Sequence, residues 1–417
     1  PAMLPVHNVP RKGGRRDGGD ARSVPVIQLC IVFLLLVYAA VLHVSLGVVS
    51  TACGDAAARA SNGDAPSAAP ALPSVPPGRD EDKLQRSPPP PQQQQQQPVA
   101  PHAASGTSVS GSASTVRTGV VVLGMHRSGT SIVGGLMSKM GLNVGPNHLL
   151  IQPNFDNKKG FFERVDVVLQ NDQLMGEQGV SYSLNTHRYD YQRAIKQALT
   201  RSGEKFFKEG TKALAFLNNP SSMPWMLKDP RLCITLRTWL PLLSSVPAVL
   251  FTYRHPLDVA RSLHVRYERF QFPRSLKLWL SYNRSAVRGS KDLCRVVTSN
   301  SRVLSSPRGE LDRIYDELRG CGLDVPHKVA QSDIDEFIDP SLQHGKMSLT
   351  DNSCGELRRG GVDTAVAIAA RHKSTQQWTP SDDTQRKLLY DVLRVYCDLE
   401  DGTALRAGYE WPEYPDH

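Results

Sequence analysis

The segment GVVVLGMHRSGTSIVGGLMSKMG, Gly119 to Gly141, constrains the fold more than any other part of the chain. Gly119–Leu123 is a short β-branched apolar run that reads as a buried strand. Ile132, Val133, Leu136, Met137 and Met140 recur at helical spacing. Gly124–Ser131 is therefore a strand-to-helix turn whose backbone N–H groups face the helix start, an arrangement that binds phosphate. The alternative is a tight glycine turn without a ligand. Gly124 and Gly129 keep the GxxxxG spacing of a nucleotide-triphosphate loop, yet Thr130-Ser131 stand where Lys-Ser/Thr is required, and the cation comes earlier, at Arg127.

A second apolar run, Ala248–Tyr253, ends in Arg254 and not in the aspartate that holds Mg²⁺ in an NTPase. Direct binding of phosphate by arginine, without metal, is expected. Pro256 suits the first turn of a following helix. Ser262, six residues later, lies about 9 Å further along its axis. Arg254 would make a forked contact to a phosphate and Ser262 would donate a hydroxyl. The alternative is a helix-capping arginine and a surface serine.

The rest of the chain is organised around this domain. Val24–Ser50 contains no charged residue and is long enough for a hydrocarbon core of about 30 Å. It reads as a membrane span, the alternative being a cleaved signal peptide. Arg11, Lys12, Arg15, Arg16 and Arg22 precede it, so residues 1–23 should be a cytoplasmic basic tail and everything after the span lumenal, in a single-pass type II topology. Residues 51–117 are rich in Ala, Pro, Ser and Gln and should form a disordered stem; a poly-Gln interaction module is the alternative reading. Residues 118–417 remain for one large domain or two. Of the net charge of +9, that domain carries only +6, without clustered Lys/Arg runs. This excludes a nucleic-acid-binding stripe and suits an anionic ligand in one pocket.

Seven cysteines contain no CxxC pair, so no zinc site and no metal is expected. One or two disulfides should form among Cys294, Cys321, Cys354 and Cys397 in an oxidising lumen, with connectivity left open. Asn283-Arg284-Ser285 is the only glycosylation sequon, in a helical-looking stretch. Arg295–Thr298 followed by SSPRGELDRIYDELRG is another strand-to-helix unit, which makes the sheet parallel α/β. Ser381–Leu399 reads as an amphipathic helix through Leu388, Leu389, Val392, Leu393 and Tyr396. Glu177–Pro224 and Val325–Gln377 should be inserted helices and loops.

Several of these motifs together resemble the PAPS-dependent sulfotransferases, which transfer sulfuryl from 3′-phosphoadenosine-5′-phosphosulfate to a hydroxyl or amine. MHRSGTS at Met125–Ser131 resembles their 5′-phosphosulfate loop, and YRHPLDVARSL at Tyr253–Leu263 resembles their 3′-phosphate element. LKDPRL at Leu227–Leu232 is similar to a segment of the tyrosylprotein sulfotransferases. NKKGFFERVDVVLQND at Asn157–Asp172 resembles the acceptor-side segment of membrane-bound and bacterial members. The resemblance covers about Gly119 to Gly320. It implies a P-loop-like parallel sheet flanked by helices, PAPS as donor, and a Golgi membrane enzyme acting on a glycan or a secreted protein. The loop residues Arg127, Ser128, Gly129, Thr130 and Ser131, with Arg254 and Ser262, would bind the donor. Arg127 and Lys228 would stabilise the transferring group, and Glu163 would be the base.

At the base this chain departs from the cytosolic members, which place a histidine where Pro230 stands. Phe161 and Phe162 would desolvate Glu163 and raise its pKa. The alternative is a helix-start carboxylate paired with Arg164 or Lys159. His126 and Asp229 are the rival bases. A nucleotide-binding, kinase-like enzyme and an inactive tethered scaffold are the competing functions; the missing Lys of the triphosphate loop speaks against the first.

Overall fold

The computed structural model describes residues 117–154, 157–200, 206–267, 270–338, 351–372 and 378–416. The expected cytoplasmic tail, membrane span and nearly all of the stem lie outside the described residues. Among those that are described, no helix is long and apolar enough to cross a membrane.

Strand β1 (Gly119–Leu123) turns into helix α1 (Thr130–Ser138). Helices α2 (Val165–Gly176), α3 (Tyr191–Leu199) and α4 (Lys208–Leu217) fill the interval before β2 (Trp225–Lys228). Helix α5 (Leu232–Trp239) leads to β3 (Ala248–Tyr253), and α6 (Pro256–Arg266) and α7 (Phe272–Gly289) lead to β4 (Arg295–Ser299). Then follow α8 (Asn300–Ser305), α9 (Pro307–Gly320), α10 (Gln331–Phe337), α11 (Asp351–Arg371, kinked at Gly361) and α12 (Asp383–Glu400).

The four strands form one parallel sheet in the order β2-β1-β3-β4. Its apolar runs are nearly continuous because both faces are covered. Val121, Leu123, Val249, Phe251 and Tyr253 point into a core shared with α5, α7 and α12. Val120, Val122, Leu250 and Val296 point the other way, into a core built with α1, α9 and α10. The chain leaves β1 for β2 on one side and returns to β3 on the other. This reversal opens a crevice at the carboxyl ends of β1 and β3, where open α/β sheets bind ligands.

The C-terminal helix forms as expected, with Leu388, Leu389, Val392, Leu393 and Tyr396 all buried. The last four cysteines pair as Cys294–Cys321 and Cys354–Cys397, the second tying α11 to α12. Cys233 stays reduced and buried, its Sγ accepting from the Gly124 N–H at 3.1 Å. The Asn283 sequon lies in a helix, as its sequence suggested: this residue is 1% exposed within α7, and its Nδ2 donates to the Trp279 carbonyl at 2.7 Å. A sugar attached there is incompatible with the packing.

Candidate active site

Two left-handed residues wrap the turn after β1, Arg127 at φ 68° and Gly129 at φ 84°. Left-handed turns of this kind make concave N–H surfaces that suit anions. Glycine suits position 129 by its φ, and a Cβ there would also lie 2.3 Å from Asn300 Nδ2, so that side chain would have to shift. No side chain caps α1 and no acidic residue occupies its first turn. Its N-terminal N–H groups and dipole therefore face the crevice unopposed. The Ser128 hydroxyl is buried without a hydrogen-bond partner.

A cavity of about 1330 Å³ opens over these strand ends. Arg127, Gly129, Thr130 and Ser131 line it from the turn, Glu163 from the segment before α2, Lys228 from the end of β2 and Arg254 from the end of β3. Ser128 and Ser262, also expected to bind the donor, are not among the residues that line it. The two halves of the anion site touch: Arg127 Nε donates to Ser262 Oγ at 2.8 Å, and Arg254 Nη1 reaches the Arg127 carbonyl at 3.4 Å. Ser262 is thus held by Arg127 and not by Arg254, whose Nε instead lies 3.7 Å from Asp258 Oδ2.

Lys228, 1% exposed, projects from the strand end into the pocket wall. Its Nζ donates to Glu163 Oε1 at 2.5 Å, to the Phe161 carbonyl at 3.0 Å and to Ser131 Oγ at 3.3 Å. It therefore bridges the phosphate turn and the carboxylate. Glu163 precedes α2, and the two partners of the alternative reading are engaged elsewhere: Arg164 pairs with Asp166 through two bonds, and Lys159 bonds the Glu336 carbonyl. Burial raises the Glu163 pKa, partly offset by the Lys228 ammonium. Phe162 sets the backbone here at φ 57°, a strained conformation for a bulky residue, and its ring packs against Phe337.

The rival bases are less suited. The His126 pKa is pushed well down by burial and then by Arg231, Lys228 and other cations, which weakens it as a proton acceptor. Its ring packs between Tyr182 and Tyr282. Asp229 is fully buried and already accepts from Asn171 Nδ2, the Arg231 N–H and Arg231 Nη1. It braces Arg231, which lines the cavity beside Tyr182. Arg231 was visible in the sequence as part of LKDPRL, yet nothing local assigned it a role. Tyr182 arrives from the irregular stretch before α3 and carries no local signal.

No protein-family model matches the chain, and no curated protein matches it. Among solved structures it is similar to the sulfotransferase domain of the Synechococcus PCC 7002 olefin synthase. The identity is 14%, over 67% of this chain and 95% of that one, with a TM-score of 0.32.

Proposed function

We propose that this chain is a sulfotransferase that moves a sulfuryl group from PAPS to a hydroxyl of a glycan. One observation carries this reading: Arg127, Lys228 and Arg254, from three separate strand ends, meet a buried carboxylate, Glu163, in one cavity. The uncapped start of α1 fits an anion on the phosphate turn. PAPS, when bound, supplies the sulfuryl group and carries a phosphate at each end of its ribose.

The α1 N-terminus with Thr130 and Ser131 would hold the 5′ end, and Arg254, braced by the Arg127–Ser262 contact, the 3′-phosphate. Lys228 spans Ser131 and Glu163, so its ammonium would lie between the donor on the turn and the acceptor, where it could stabilise developing charge. Glu163 would take the acceptor's proton while the acceptor oxygen bonds to sulfur and the bond from sulfur to the 5′-phosphate oxygen breaks. Burial supports Glu163 in that role, because a raised pKa brings a carboxylate closer to the operating pH.

A tyrosine side chain is the second acceptor reading, favoured by Tyr182 and Phe161 in the cavity wall, which suit an aromatic ring. We place the domain in the Golgi lumen, anchored by residues 24–50. Incubation with PAPS labelled in its sulfate, over a glycan and peptide array, tests the reaction and separates the acceptors. Label on a sugar supports the first reading and label on a peptide the second; label on neither rejects the activity.

A further inference from the structure

The Arg254 side of the same cavity carries a cluster whose two histidines have no role in the chemistry above. His255 follows Arg254 at the end of β3, Asp258 sits in the first turn of α6, and His372 stands directly after α11. Each offers a ligand atom, and the three atoms lie within 4.8 Å of one another. The two histidines are each 4% exposed. Both ring nitrogens of His255 are buried with no hydrogen-bond partner, which a buried imidazole seldom tolerates. Asp258 divides its oxygens: Oδ1 faces His372 Nε2 at 3.9 Å, and Oδ2 faces Arg254. Tyr396 of α12 closes the cluster with its ring 4.7 Å from that of His255.

We propose that His255, Asp258 and His372 bind a divalent transition-metal ion of zinc's ligand preference, which fastens the end of α11 to the start of α6. Two imidazoles and one carboxylate are a donor set zinc accepts, with a fourth position left for water. The rings stack 9° from parallel with centroids 4.5 Å apart. Coordination therefore turns one ring about its Cβ–Cγ bond and draws the ligand atoms in to about 3.3 Å from each other, the spacing around a tetrahedral ion with bonds of about 2.0–2.1 Å. Asp258 Oδ2 keeps its contact with Arg254, so the ion would also fix the arginine's carboxylate neighbour. The site has no short-range signature: His255 and Asp258 are three residues apart, and the third ligand comes from a distant helix.

The test uses the full-length chain, dialysed against EDTA and titrated with cobalt(II) chloride and then zinc chloride, with visible absorption and metal analysis as readouts. One equivalent of cobalt with a ligand-field band, displaced by zinc, is expected. His255→Ala and His372→Ala should each weaken cobalt binding by more than about 100-fold, beyond the effect of losing an outer-sphere partner. Should either fail to fold, Asp258→Asn keeps the side-chain size and should show the same loss. No cobalt uptake by the parent would overturn the proposal and leave a bridging water as the occupant. Uptake unchanged in the variants would overturn it equally, by placing the metal elsewhere.

Discussion

Lys228 Nζ and Glu163 Oε1 lie 2.5 Å apart at the floor of the cavity, with the lysine 1% and the glutamate 8% exposed. Removing one partner of a buried pair strands the other charge, at a cost of about 3–5 kcal/mol, whereas neutralising both together does not. Lys228→Met and Glu163→Gln should each destabilise strongly, and the double variant should lose much less than the sum. Denaturant unfolding of the four proteins in the cycle measures this. Additive losses would mean that the two charges do not share one environment.

Glu163→Gln also tests catalysis, because it keeps shape while deleting basicity. Measured well below the variant's unfolding temperature and at saturating PAPS and acceptor, kcat should fall by about 10²–10⁴. PAP binding should survive. Turnover within a few-fold of the parent would remove Glu163 as the base and leave His126 as the remaining rival.

The same carboxylate sets the pH dependence. A general base works in its ionised form, so kcat should rise with pH through the Glu163 pKa and level off above it. Burial raises that pKa, so the acid limb should lie above the ordinary carboxylate value of about 4.3. A limb that persists unchanged in Glu163→Gln would belong to another group.

Arg254→Ala should weaken PAP binding by roughly ten- to a hundred-fold, equivalent to a lost charge-assisted contact of about 1.5–3 kcal/mol. Acceptor affinity should change little. Ser262→Ala should cost less directly, but it also releases Arg127 Nε from its 2.8 Å bond, so some loss at the 5′ end should accompany it. Calorimetry with PAP on both variants checks this, and parental affinity in Arg254→Ala would reject the 3′-phosphate assignment.

The fold was legible where burial is two-sided and local. The runs Gly119–Leu123, Ala248–Tyr253 and Arg295–Thr298 announce strands because every residue must be apolar or covered, and the glycine turn follows one of them directly. The strand-end positions of Lys228 and Arg254 could be read for the same reason. What escaped is pairwise and distant. Glu163 finds Lys228, and Ser262 finds Arg127, across gaps of 65 and 135 residues that no periodicity encodes. Asn283 illustrates the same limit, since its burial depends on α7 turning that face, with Trp279 and Ala286, into the core. Arg231 and Tyr182 enter the wall only through tertiary packing.

In the proposed reaction the cavity holds the two phosphates of a sulfuryl donor through this chain's arginines and the start of α1, without a triphosphate-loop lysine. Thermal unfolding with PAP and, separately, with Mg-ATP decides whether such a donor site exists. PAP at about 100 times its Kd should stabilise the folded state by about 2.7 kcal/mol, and Mg-ATP should do so no better. Stabilisation by Mg-ATP with none from PAP would rule out this donor site.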